Sequence, residues 1–184
     1  MTSQIRVDSI VPTTGVPTGG GGGIVQVVQG TTQTEVAVST QNTYTDTTLE
    51  ATITPLSASN KIFVIVNQFL YSSNGGSGGS HGGAIRVVRN PGNNVVYIPK
   101  TNDGGPIESY MFVQASGTSN SMAFFETKTI TFLDSPTTTD PITYKTQGST
   151  YTSSGIMTFN YGGVGSGADV SDSTSYITLM EVSA

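Results

Sequence analysis

His81 is the single histidine of the 184-residue chain and lies in the stretch Gly-Gly-Ser-His-Gly-Gly, residues 78–83. A Ser-His-Asp arrangement needs an imidazole held by a carboxylate and by packing, and glycine on both sides supplies neither. An exposed loop tip, or a surface contact, fits His81 better than catalysis. Carboxylate-pair hydrolysis of a glycoside needs two acidic side chains fixed across a cleft. The candidates are Asp103, Glu108, Glu126, Asp134, Asp140, Asp169 and Asp172, and nothing in their spacing pairs them. The chain has no Cys, which removes thiol nucleophiles and thiolate metal sites. "TNDGG" at 101–105 and "GADVSDS" at 167–173 contain oxygen ligands, yet neither follows the spacing of a calcium loop, and turn chemistry of Asn and Asp accounts for both. Five glycines, Gly19 to Gly23, invite a phosphate-loop reading, which requires a following helix and a Lys-Ser/Thr pair. "IVQVVQ" follows instead, a strand-like run without Lys, so the glycines are expected to act as a flexible linker. No catalytic residue, cofactor or metal site is expected, and the chain does not read as an enzyme.

The elements that would position these residues are strands. Thr, Val, Ile and Tyr suit a pleated surface, and good helix formers are scarce. Turn signals and β-rich runs alternate from Ile24 onward. Strands are expected at 24–29, 34–40, 44–54, 61–71, 84–89, 95–99, 109–115, 122–133, 142–147, 155–161 and 175–182, about the number of a sandwich. "TEVAVST" alternates Val36 and Val38 with polar residues, as on a half-solvated strand. "KIFVIVNQFLY" is apolar on both faces from Ile62 to Val66, which predicts a central strand covered twice, with another copy of the protein as the candidate second cover. "TKTITFLDSP" alternates Ile130 and Phe132 with threonines and ends at a turn. Two long loops are expected, Ser72–Gly83 and Tyr161–Ser175, both rich in Gly and Ser.

The fold class is therefore an all-β antiparallel sandwich, jelly-roll-like, over residues 24–184. Residues 1–23 form a separate anchoring piece: a short extended segment, Gln4–Val11, then Pro-containing turns and the glycine linker. A lone extended segment has unpaired backbone groups and must find a sheet edge or another chain, so Ile5, Val7, Ile10 and Val11 are candidates for anchoring to a partner protein or between subunits.

Only 10% of residues are charged, against about 25% in an average protein, and the formal net charge is -5. Phosphate-backbone binding needs clustered Lys and Arg, so nucleic acid is not expected as a partner. No run approaches the roughly 20 apolar residues of a membrane span, and Met1–Ile10 lacks the pattern of a secretory signal.

"RVDSIVPTTGVPTGGGGGIVQVVQ", "TITPLSASNKIFVIVN", "TITFLDSPTTTDPITYKTQ" and the ending "SYITLMEVSA" together resemble a family of small virion fibre proteins of marine bacteriophages, including those of cyanobacteria. The resemblance spans nearly the whole chain, in order, and rests on structural segments. It implies a compact β domain, trimeric, displayed on a particle assembled in the host cytoplasm, and it carries over no catalytic residues. Receptor contacts would then lie in the Gly-, Ser- and Asn-rich stretches and nearby polar loops, with Asn74, Ser80, His81, Asp103, Tyr161 and Asp169 as candidates. Exposed Tyr combines apolar area with a polar tip, which suits a host-surface glycan or protein. The alternatives are a capsid or tail decoration protein without a receptor role and, further off, a capsule-degrading tailspike.

Overall fold

The computed structural model describes residues 23–41, 43–73, 80–97, 111–114, 123–150, 156–162 and 173–184. Eleven strands account for most of them: β1 Ile24–Thr32, β2 Val36–Val38, β3 Thr45–Ile53, β4 Lys61–Ser73, β5 Ser80–Asn90, β6 Asn94–Tyr97, β7 Met111–Gln114, β8 Ala123–Asp134, β9 Ile142–Thr150, β10 Ile156–Phe159 and β11 Ser175–Val182. All of the strand pairing is antiparallel.

Two layers result. In the first, β4 is paired along its length with β8, while its other edge is shared by β11 (against 61–67) and β10 (against 70–73). Strand β1 lies outside β11, and β2 outside β10. The second layer runs β3–β9–β5, with β6 and β7 sharing the outer edge of β5. Treating the in-line pairs as single strands gives two four-stranded sheets, β1–β11–β4–β8 facing β3–β9–β5–β6, which is jelly-roll order.

Alternation decides which residues fill the space between the sheets. Ile62, Val64, Val66 and Leu70 of β4 point inward with Ile177 and Leu179 of β11, and meet Leu49, Ile53, Ile85, Val87, Ile142 and Tyr144 from the second sheet. The sandwich closes along both flanks. At one, β1 comes so near β3 that a Cβ on Gly30 would lie 1.9 Å from the Glu50 carbonyl oxygen, so only glycine fits. At the other, Phe132 of β8 stacks on Tyr97 of β6 with ring centroids 5.4 Å apart, and Asp134 joins the Arg89 guanidinium to the Tyr144 hydroxyl.

Strand bounds differ from sequence expectation mainly where glycine and serine are dense. Strand β4 continues to Ser73 and β5 begins at Ser80, so the loop expected over Ser72–Gly83 shrinks to 74–79. Ser80 and His81 belong to a strand, paired with Gln114 and Val113 of β7, because the ladder partner supplies what their own composition does not. The second cover expected over β4 is partial: Phe63 and Ile65, on its outer face, are half-buried. The anchoring candidates Ile5, Val7, Ile10 and Val11 lie outside the described residues, as do Asn74, Asp103 and Asp169.

Candidate functional site

Strand direction gives the molecule two unlike ends. At one end, the base, stand Gly23, Lys61, Asp134, Ile142, Asn90 and Val182, and the connections there are the short turns 54–60, 91–93 and 135–141. The turn at 91–93 follows a cis Asn90–Pro91 bond and places Gly92 and Asn93 at positive φ, the region those residue types favour. At the other end, the tip, stand Ser73, Ser80, Gln114, Ala123, Thr150 and Ile156. Segments 74–79, 115–122 and 151–155 all leave from and return to this end. With 13 residues in β4, base and tip are about 40 Å apart. Of the receptor-contact candidates, Ser80 and His81 fall at the tip, whereas Asn74, Asp103 and Asp169 belong to the segments joining β4 to β5, β6 to β7 and β10 to β11, outside the described residues.

Tyr161 lies beside β4, just past the end of β10. Its ring stacks on Tyr71 at 4.5 Å and 22°, and Phe125 packs against Tyr71 at 5.0 Å. Phe69 joins the cluster through Phe125 at 6.1 Å. This group sits on the outer face of the first sheet, towards the tip, where Tyr71 and Phe125 are cross-strand partners. Aromatic pairing of this kind fixes ring orientation as well as burying area.

The same outer face can be read as rows across the strands. Val27, Met180, Phe63 and Leu133 are in register over β1, β11, β4 and β8. The next row towards the tip is Gln29, Thr178, Ile65 and Thr131, and the next Thr31, Tyr176, Asn67 and Thr129. Gln29 Nε2 donates to Thr178 Oγ1 at 3.1 Å and Thr129 Oγ1 to Asn67 Oδ1 at 2.8 Å, so the polar members bond along their rows. Lys61, at the base, is the one charged residue whose side chain faces outward from these strands among the described residues. The outer face of the second sheet differs: Lys145 donates to Asp46 at 2.6 Å, Gln147 also donates to Asp46, Arg86 Nε donates to Gln147 at 2.8 Å, and the Arg86 guanidinium lies 4.1 Å over the Tyr44 ring. Burial opposes ionisation of Asp46, yet the Lys145 and Gln147 hydrogen bonds and the Lys145 and Arg86 charges outweigh it and hold its carboxyl below the ordinary value.

Two buried polar clusters were invisible in the sequence. Gln68, on the inner face of β4, accepts from Thr47 (3.1 Å) and Thr146 (2.8 Å) through Oε1, and donates through Nε2 to Ser175 Oγ (2.9 Å) and Asn160 Oδ1 (3.3 Å). Ser175 also accepts from Phe69 N at 2.9 Å, and Asn160 Nδ2 donates to Thr34 O at 2.8 Å. Asn160 takes positive φ at the point where β10 gives way to β11 beside β4. Near the base, the buried Glu181 carboxylate accepts from Leu56 N (2.7 Å) and Asn60 Nδ2 (2.6 Å), with Gln26 turned so that its amide nitrogen reaches Oε2 at 3.1 Å. Both clusters tie separate strands through hydrogen bonds, and neither presents a group to a ligand.

Among the described residues no three His, Cys, Asp or Glu side chains come together as metal ligands, and there is no helix long and apolar enough to cross a membrane. The acidic candidates that are described, Glu126, Asp134 and Asp140, are separately engaged: Glu126 with Lys128 at 3.6 Å, Asp134 with Arg89 and Tyr144, Asp140 in a turn with Thr138.

No protein-family model matches the chain, nor does any curated protein sequence. Among solved structures, a chain of the T13 IBDV viral particle is similar, with 12% sequence identity and a TM-score of 0.32 over 94% of this chain. The match takes in 43% of that chain, so this protein spans less than half its length, and at this score nothing of the particle's biology carries over.

Proposed function

We propose that this chain is a non-enzymatic structural protein of a bacteriophage virion, a trimeric tail-fibre or fibre-tip component held to the particle at its base and meeting the host surface with its tip. The observation that carries the reading is polarity. The chain enters the first strand at Gly23 beside the short turns, while the strand ends that 74–79, 115–122 and 151–155 connect lie together about 40 Å away. Rigid strands that position variable connections at one end are a common way to build a recognition surface. The resemblance of the sequence to marine phage fibre proteins supplies the setting, and the jelly-roll order supplies a compact module to be displayed.

Density for the intact particle, resolved to the level of neighbouring chains, tests the proposal. The expected result is a knob at the end of a tail appendage, with residues 5–11 held by an adaptor or a neighbouring subunit and the tip facing outward. Density at repeated capsid lattice positions would instead make the chain a decoration protein and remove the receptor role.

A further inference from the structure

We infer that the outer face of the β1–β11–β4–β8 sheet is the surface through which copies of this chain pack on one another. A chain with a net charge of -5 repels its own copies in general. This face is where that repulsion is absent: its rows of Val27, Met180, Phe63 and Leu133, then Gln29, Thr178, Ile65 and Thr131, then Thr31, Tyr176, Asn67 and Thr129, contain no carboxylate. A lipid or nucleic-acid occupant would call for clustered cations, and Lys61 at the margin is a single one. The partner that an uncharged mixture of apolar and amide or hydroxyl groups suits is a surface of the same composition, which is what a second copy offers.

Exposure supports the same assignment. Four large apolar side chains point outward here, Val27 at 57%, Leu133 at 51%, Phe125 at 44% and Tyr176 at 41%, and the half-buried Phe63, Ile65, Phe69, Tyr71 and Met180 lie between them. They form a band that runs the length of β4 from base to tip. Four strands about 4.8 Å apart, read over the 27 Å or so from Phe63 to Tyr71, give a plan area of roughly 500 Å². Side-chain relief raises the accessible area towards the ~800 Å² per partner of a stable interface. Because the band follows the strands, packing it around an axis parallel to them sends every base to one side and every tip to the other. A cyclic arrangement of that kind satisfies the band without leaving a tip pointing backwards.

The inference stands on the face itself and does not require any particular place on a virion. Native mass spectrometry and sedimentation of the full chain at tens of micromolar are expected to show a closed oligomer. Leu133→Lys with Phe125→Lys, both at positions already exposed in the protomer, should shift it to monomer with unchanged far-UV circular dichroism, while Thr52→Lys on the opposite sheet should leave it intact. Since the chain has no Cys, single cysteines give a second readout that needs no disruption. Thr129→Cys should react with iodoacetamide at least tenfold more slowly above the dissociation concentration than below it, and Thr52→Cys at the same rate in both. A monomeric wild-type chain, an oligomer that survives both lysines, or concentration-independent labelling of Thr129→Cys would each overturn the inference. A monomeric wild-type chain would also remove the trimer from the proposed function, whereas an oligomer that survives both lysines would overturn this inference alone, and particle density at capsid lattice positions would overturn only the proposed function.

Discussion

Replacing Gln68 by methionine keeps its approximate volume but removes both ends of an amide that four side chains address. Thr47, Thr146, Ser175 and Asn160 would lose a partner in a region where water does not reach, all four being buried. Orphaning buried polar groups costs on the order of 1–3 kcal/mol each before relaxation, so Gln68→Met is expected to lower stability by about 2–4 kcal/mol, measured by urea denaturation with an unchanged m-value. Tyr144 poses a different residue-scale question. Burial, reinforced by the Asp134 carboxylate and opposed by Arg89, pushes its hydroxyl well above the ordinary tyrosine range. A raised pKa in the folded state means that the unfolded chain ionises first as pH rises. The stabilisation is whole below the unfolded value of about 10 and declines above it. Alkaline titration of stability is expected to show that decline, and Tyr144→Phe should flatten it while leaving Arg89 and Asp134 paired.

Close approach of elements sets a stricter requirement than any propensity. Where β1 passes β3, a Cβ at Gly30 would sit 1.9 Å from Glu50 O and 3.2 Å from the Ala51 Cβ. Gly30→Ala must therefore move a strand, and a loss of roughly 1–3 kcal/mol is expected in thermal or chemical unfolding. That requirement could not be read from "VVQGTT", which looks like any strand with one weak residue. The strands themselves were legible: β-rich runs between turn signals marked β3, β8 and β11 to within a residue, helped in β8 by Ile130 and Phe132 alternating with threonines, and the doubly apolar run at Ile62–Val66 marked the central position of β4. Ser80 and His81 were not, because their extended conformation comes from pairing with β7 and not from their own side chains. The buried Gln68 and Glu181 escaped for a related reason. A polar residue within a strand looks solvated until the partners that satisfy it, 78 to 155 residues away in Gln26, Asn60, Thr146 or Ser175, are in place.

Polarity of the whole molecule makes a prediction that no single residue or strand contains. If the tip meets the host, exchanging 115–122 and 151–155 together for Gly-Ser segments of equal length should abolish adsorption of particles while leaving the unfolding midpoint of the domain within a degree or two, as surface changes away from the core usually do. Loss of adsorption from an equivalent exchange in the base turn at 135–141, with the tip variant still adsorbing, would reverse the assignment of the two ends. The arrangement of β1 against β11 also bears on how the domain carries force. These strands share eight cross-strand pairs from Ile24–Val182 to Thr32–Ser175, and the linker joins at Gly23, where Gly23 O accepts from Ser183 N at 3.0 Å. Tension between a base fixed to a particle and a tip fixed to a cell runs along the strands, so the ladder bonds, which lie across them, are loaded together in shear. Pulling Gly23 and Ala184 apart at the base would instead peel the same ladder one pair at a time. The domain is thus mechanically anisotropic: strong along the direction in which attachment would pull it, and weak to a peeling force applied at its base.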